Sequence, residues 1–479
     1  MLAGILTLTA NCQEGILHIS DGQTEREFCI VHNHSWTPLA QSLDTAVSPI
    51  EYPLVNLTSQ LLCNSSGVTP DLVKGKAVVV MRGDCDFSQK ALTAQELGAT
   101  TLLIASNQTL ITPSANESEY SKVTIPLALM RYRNFLEAQQ VFTGEMQVKL
   151  YAPPQAKIDP SIAVMLIIAV MTVALGGFWS GASENKAESG ELFLYSPLKV
   201  VVLVLVMCGM LVLMYYFYNI LVYVIIAIFC LASANALFFC FDAVLDKIGC
   251  GTIRFSVRNW NFSVRSIILA SVCIVIAVIW GVYRNEDRWI WILQDILGIA
   301  FCLNFIKTIS LSNFKICVIL LSLLLLYDVF FVFITPFFTK NGVSIMVQVA
   351  LGPDASGEKF LCPQLPVVMR VPRFSGLAQN LCGMQFSILG YGDIIVPGLL
   401  VAYCSRFDVW VNSRWKVYFI SCCTAYLMGM IVTFTVMLLS GMGQPALLYL
   451  VPFTLITSAV VAGCRGEMRR FWTGTSYEL

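Results

Sequence analysis

Two aspartates lie where a charge is hardest to keep. Asp328 sits in LLLLYDVFFVF and Asp393 in FSILGYGDIIVPGLLVAY. An ionisable side chain inside a long apolar run is costly in a bilayer, so each reads as functional by default. Two carboxylates close together in a low-dielectric site cannot both ionise easily, and the pair holds one shared proton. That arrangement suits hydrolysis of a peptide bond: one carboxylate activates water, the other protonates the carbonyl or the leaving amine. Other chemistries are missing their parts. The three histidines, His18, His32 and His34, all precede the apolar region. An H-E-x-x-H zinc site, a Ser–His pair and a Cys–His pair are therefore impossible there. Two carboxylates and water need no cofactor and no metal. On position alone, a pair of hydrogen-bonded structural aspartates or a cation pathway stays open.

The neighbouring residues favour hydrolysis. Gly390-Tyr391-Gly392 precede Asp393, and glycine lets a backbone approach closely and leave helical geometry. An exposed backbone there is suited to pairing with an extended substrate strand. Gln444-Pro445-Ala446-Leu447 opens the last apolar run. Proline there removes a donor and fixes the turn, and alanine permits close packing. Tyr327, beside Asp328, has two equal readings, a hydrogen bond near the carboxylate or aromatic packing. A third acid, Asp295, is expected to make a helix-to-helix hydrogen bond, with tuning of the pair as the alternative.

Long apolar segments must carry these residues. The 479 residues are 57% hydrophobic and 13% charged, with thirty basic against thirty acidic side chains, and the mean hydropathy is +0.72. A soluble chain holds roughly 25% charged residues, so a purely soluble protein is excluded. With no basic excess, nucleic acid is not an expected partner. Nine runs approach the roughly 20 residues a spanning helix needs: 161–181, 196–215, 218–241, 266–283, 289–307, 314–334, 381–402, 416–439 and 444–463. Counted at 1.5 Å per residue, Asp328 lies about 16 Å from Cys317 and Asp393 about 18 Å from Leu381. Their helices run in opposite directions, so both carboxylates are expected near mid-membrane. Gly176, Gly177 and Gly181 read as packing glycines.

Residues 1–158 have a different character, with short apolar runs and turns. Asn33, Asn56, Asn64, Asn107 and Asn116 head N-x-S/T sequons, the mark of a glycosylated lumenal segment. The positive-inside rule is followed in the main: Lys186, Lys247, Arg254, Arg258, Arg265, Arg406, Arg414, Arg465, Arg469 and Arg470 fall on the opposite side, against Lys340, Lys359, Arg370 and Arg373 in the lumenal loop 335–380. The N-terminus is then lumenal, the C-terminus cytosolic, and the sequon at Asn261 unused. Cys12, Cys29, Cys63 and Cys85 allow three pairings, and Cys362 and Cys382 flank one loop in reach of a disulfide. The apolar start, MLAGILTLTA, lacks a basic flank and reads as the remnant of a leader. Ala77–Met81, Phe87–Leu97 and Thr101–Ala105 read as strand, helix and strand, with a further strand over 125–129.

Tyr327–Asp328, Gly390–Asp393 and Pro445–Leu447, in that order, resemble the motifs of the GxGD intramembrane aspartyl proteases, the presenilin and signal peptide peptidase clan. The stretch KGKAVVVMRGDCDFSQKALTAQELGATTLLIASN resembles a protease-associated domain, covering about 55–150. Together with RNEDRWIWILQDILGIAFCLN, YDVFFVFITPFFTKNG and GQPALLYLVP, it resembles the signal-peptide-peptidase-like 2 subfamily. The resemblance implies a multi-pass α-helical membrane protein of nine transmembrane helices, presenilin-like. Residues 159–479 would form the protease domain and 1–158 a lumenal ectodomain with an α/β protease-associated domain. It implies Asp328 and Asp393 as catalytic residues. Tyr327, Gly390, Tyr391, Gly392, Gln444, Pro445, Ala446 and Leu447 would position substrate. It implies substrates among type II membrane proteins or shed stubs, and contact with membrane lipid. The expected location is the endomembrane system, late endosome or lysosome ahead of the plasma membrane. A homodimer is one option for the assembly. The alternatives are a cation transporter or channel and an inactive scaffold that binds membrane proteins.

Overall fold

The computed structural model describes residues 13–33, 36–40, 51–65, 67–107, 113, 122–142, 144–152, 159–183, 192–194, 197–249, 254–257, 260–284, 286, 289–338, 344–346, 349, 365–374, 386–440 and 444–474. Cys12, Asn116, Cys362, Cys382 and the apolar start lie outside them.

The N-terminal region forms β1 (Gln13–Ser20), β2 (Glu25–His32), β3 (Tyr52–Leu57), α1 (Pro70–Val73), β4 (Ala77–Met81), α2 (Phe87–Glu96), β5 (Thr101–Ser106), β6 (Leu127–Arg131), α3 (Tyr132–Val141) and β7 (Gln147–Tyr151). The strands close into a barrel in the order β1-β2-β6-β5-β4-β3-β7. The expected strand–helix–strand unit is present. β4 and β5 pair in parallel from Ala77 opposite Thr101 to Met81 opposite Ala105, and α2 is the crossover. Their uniformly apolar sequences follow from burial on both faces. Val78 and Val80 enter one core with Ala91 and Ala94 of α2. Ala77 and Val79 enter a second core with Phe135 and Ala138 of α3, the alternation a strand imposes. Closure into a barrel was not expected, and it removes the sheet edges. Cys63 and Cys85 form a disulfide. Cys29 is also disulfide-bonded. Lys90 of α2 is fully buried and donates through Nζ to Leu61 O. Burial holds its ammonium below its usual value of 10.5.

The second region contains α4 (Pro160–Ser183), α5 (Pro197–Tyr216), α6 (Tyr218–Ile248), α7 (Val264–Tyr283), α8 (Ile290–Thr308) and α9 (Phe314–Val329). α9 continues as a π turn over Phe330–Ile334 and a 3-10 turn over Thr335–Phe337. There follow β8 (Val368–Pro372), β9 (Phe386–Gly390), α10 (Tyr391–Trp410), α11 (Val417–Ser440), α12 (Leu447–Cys464) and α13 (Met468–Thr473). Among the described residues eight helices are long and apolar enough to cross a membrane: α4 to α8, α9 with its continuation, α11 and α12.

Of the nine runs expected to cross, the seventh, 381–402, is not among these eight. Phe386–Gly390 is a strand and the helix starts only at Tyr391. That helix, α10, carries Asp393, Arg406 and Asp408, which sets it apart from the eight. Every residue from Tyr391 to Asp408 is buried, and α10 packs against α4, α8, α9, α11 and α12. A helix enclosed on all sides needs no lipid-facing apolar surface, so it tolerates polar groups that find partners. Arg406 donates to Ser180 Oγ at 3.1 Å and Ser310 Oγ at 2.6 Å. Asp408 accepts the N–H groups of Tyr418 at 3.3 Å and Phe419 at 2.8 Å at the start of α11.

Close approach of α4 to α10 and to α8 is secured by small residues, as expected for the glycines of α4. A Cβ on Gly177 would stand 2.8 Å from Val401 Cγ1, and one on Gly176 would stand 3.1 Å from Ile306 Cγ2. Far along the chain from Asp393, Phe471 of α13 is fully buried. It packs among Phe314, Tyr403, Phe407 and Tyr418 and ties the last helix to α9 and α10.

Candidate active site

Asp328 is the penultimate residue of α9, immediately before the π turn. A π turn widens the helix and often accompanies a functional residue. Asp393 occupies the first turn of α10, not the middle of a helix. The helix count from Leu381 therefore overstated its depth within helical structure: the five residues before Tyr391 are extended. Both carboxylates are fully buried, on helices that pack against each other. The backbone amide of Leu447 faces the Asp328 carboxylate. No described donor meets either of its oxygens at hydrogen-bonding geometry. On the other helix, Tyr426 of α11 donates to the backbone carbonyl of Asp393 at 3.3 Å.

The motif residues gather around these two helices. Tyr327 is buried, with its ring centroid 4.8 Å from that of Phe331 and the rings tilted by 51°. Gln444, Pro445 and Ala446 precede α12 and are buried with Leu447. The Pro445 carbonyl accepts Leu448 N–H at 3.1 Å, so the first turn of α12 is built on the proline.

Gly390 is extended, with φ −67° and ψ 134°, and ends β9 where α10 begins. β8 and β9 form an antiparallel hairpin with Val368 opposite Gly390, Arg370 opposite Ile388 and Pro372 opposite Phe386. This hairpin had no counterpart in the sequence reading, which merged Phe386–Gly390 into a span.

Side chains from two spans hold the hairpin. Gln294 Nε2 donates to Val368 O at 2.8 Å, and Asp295 Oδ1 accepts Arg370 N–H at 2.9 Å. Asp159 Oδ1 accepts Phe374 N–H at 3.2 Å, and the hydroxyls of Ser161 and Ser387 share a 2.8 Å hydrogen bond. The expectation of a helix-to-helix bond at Asp295 is therefore corrected: its partner is strand backbone. α8 also steadies Tyr391, whose hydroxyl donates to Gln294 O at 3.1 Å. The ring lies so close to α8 that a Cβ on Gly298 would overlap it. Gln294 and Tyr426 were missed in the sequence. Each was visible there only as a polar group inside an apolar run.

The sequons fall into two kinds. Asn56, Asn64 and Asn107 are exposed. Asn56 Oδ1 accepts Thr58 N–H at 2.9 Å and Thr58 Oγ1–H at 2.7 Å, a local turn that engages the amide oxygen and not the nitrogen. Asn33 is buried, and its Nδ2 donates to Pro113 O at 3.0 Å.

With this geometry in view, the likeness to known proteins is decisive. The profile of the family Signal peptide peptidase matches residues 186–478, and that of the PA domain matches residues 50–137. Signal peptide peptidase-like 2A of Homo sapiens is 50% identical over 100% of this chain and 93% of its own length. Its counterpart from Mus musculus is 48% identical over 98% and 91%. Signal peptide peptidase-like 2B of Rattus norvegicus is 43% identical over 100% and 85%. These likenesses side with proteolysis and not with transport of cations or a scaffold role. A multi-pass helical protein with a PA domain, matched nearly end to end by these relatives, this chain belongs to the signal peptide peptidase family of proteases.

Proposed function

We propose that this protease hydrolyses peptide bonds inside transmembrane segments, with Asp328 and Asp393 as the catalytic pair. The observation that carries the reading is the full burial of both carboxylates on two packed helices, where an ionisable side chain in an apolar span reads as functional. One carboxylate takes a proton from water as the oxygen attacks the substrate carbonyl carbon. The other gives its proton to the carbonyl oxygen. When the tetrahedral intermediate collapses, the first carboxyl gives its proton to the amide nitrogen, the C–N bond breaks, and a hydroxyl of the intermediate returns a proton to the second carboxylate as the product carboxyl forms, so the pair again holds one proton.

A substrate helix hides its peptide bonds in i to i−4 hydrogen bonds, so it must be unwound and its backbone satisfied elsewhere. β9 supports that step. Val368 O and Arg370 N–H point away from β9, so the opposite residues, Gly390 and Ile388, point away from β8. The Gly390 carbonyl begins the α10 helix. The Ile388 N–H and C=O and the Gly390 N–H remain as an edge, three to five residues before Asp393. An extended substrate adds there as a strand.

The exposed sequons and the Lys/Arg distribution support a lumenal N-terminus, a cytosolic C-terminus and an endomembrane location. Type II membrane proteins then enter with the matching orientation. The test is cleavage of a helical substrate by the purified chain in lipid, against Asp328→Asn and Asp393→Asn. Both variants should fold and lose turnover, because an amide cannot exchange the proton. Turnover by either one would sink the assignment.

A further inference from the structure

A buried acid in α8 has its oxygen on a strand's N–H, and the adjacent amide side chain has its nitrogen on the same strand's C=O two residues away. Gln294 and Asp295 are about 95% buried. Their contacts, 2.8 Å to Val368 O and 2.9 Å from Arg370 N–H, fall on alternate residues of one edge of β8. A neighbouring strand would put a donor and an acceptor in those two places. We infer that Gln294 and Asp295 are positioning residues that stand in for a third strand, sealing the outer edge of β8 so that substrate backbone is admitted only at β9, in one register with Asp393. This rests on the strand-addition reading above.

Three facts make the pair more than a convenient hydrogen bond. First, the carboxyl's hydrogen bond goes to the backbone N–H of Arg370, so what it holds is a strand conformation, with the Arg370 side chain also within electrostatic reach. Second, the same turn of α8 holds Tyr391, through its hydroxyl on Gln294 O at 3.1 Å. One helix therefore fixes both the hairpin and the residue between Gly390 and Gly392. Third, the sealed edge and the open edge are opposite sides of a two-stranded sheet, and such a sheet is marginal alone. Without the pair, β8 would present a competing edge and β9 would lose its support.

The requirement is for an acceptor at 295 and a donor at 294, not for a charge. Asp295→Asn keeps an oxygen for Arg370 N–H, whereas Asp295→Leu does not. The full chain in lipid, with a single-span helical substrate, is read for kcat, KM and the positions cut, the last by mass spectrometry of the products. Asp295→Asn should retain kcat/KM within about threefold. Asp295→Leu should lose about tenfold or more, on the scale of leaving one buried backbone N–H without its acceptor. The loss should fall mostly in KM, and the cuts should spread over neighbouring bonds. Gln294→Leu should spread them likewise, and replaces Asp295→Leu if that variant does not reach the membrane. A merely structural role would lower the amount of active enzyme and leave KM and the cut positions unchanged, which overturns the inference. Asp295→Asn as inactive as Asp393→Asn would also overturn it, since the acid would then share in the proton chemistry. If the unaltered chain and Asp393→Asn cut alike, the catalytic assignment fails instead, and the two failures are distinct.

Discussion

Gly298→Ala should reverse sign with the residue opposite it. In an ordinary helix interior alanine is favoured over glycine by about 0.5–1 kcal/mol. Here the new methyl would overlap the hydroxyl end of Tyr391. Forcing a buried aromatic to shift costs about 1–3 kcal/mol. The shift also breaks the 3.1 Å bond from Tyr391 to Gln294 O, about 1 kcal/mol more. The balance is a loss of about 1–3 kcal/mol in the unaltered background. With Tyr391→Leu the ring and hydroxyl are gone, both penalties disappear, and Gly298→Ala should become neutral or stabilising. Unfolding free energies of the four proteins in mixed micelles close the cycle, with an expected coupling above about 1 kcal/mol. Equal destabilisation by Gly298→Ala in both backgrounds would refute the contact, and with it the account of how α8 fixes the entrance to α10.

Glycan mapping of the chain from a eukaryotic host should find sugar on Asn56, Asn64 and Asn107 and none on Asn33 or Asn261. A glycan on Asn261 alone would invert the topology. Replacing Cys63 or Cys85 by Ser opens a link of sequence separation 22 and should destabilise the N-terminal region by about 3 kcal/mol; protease resistance unchanged from the disulfide-bonded chain would contradict this. Substrates with Gly in place of Leu near the cut should be cleaved faster, by about fivefold per residue if unwinding limits the rate. An all-Leu segment cut at the same rate would show that unwinding does not limit it.

Apolar length was enough to locate most of the membrane region. The runs at 161–181, 218–241 and 289–307 became α4, α6 and α8 with shifted ends, and even the break between α5 and α6 fell at Phe217, where the sequence offered little warning. The reading failed at 381–402. Phe386-Ser387-Ile388-Leu389-Gly390 is apolar enough to extend a span, and a short apolar run does not distinguish strand from helix. What makes it a strand is tertiary: β8 lies beside it in register, and three side chains, Ser161 of α4 and Gln294 and Asp295 of α8, hold the pair. The candidate site was legible where rare polar groups stood in apolar surroundings, as at Asp328 and Asp393. It was illegible where the group was common, as at Tyr426, or where its partner was backbone, as at Asp295. In the N-terminal region the β4–α2–β5 unit was clear from its periodicity, but the pairings that close the barrel, β1 with β7 and β3 with β7, link residues far apart in the chain and leave no local trace.

The edge of β9 also sets a condition on solvent. Hydrocarbon offers nothing to an N–H or a C=O, and each left bare in it costs several kcal/mol. Between substrates, Ile388 must therefore be hydrated, which means that water reaches to within a few residues of Asp393 before any substrate arrives. Strand addition then displaces this water from the edge at the same moment that the scissile bond is delivered. If substrate adds there as proposed, the water that wets the edge is already close to the site of hydrolysis, and a substrate too short to cover the edge would be held less firmly beside it.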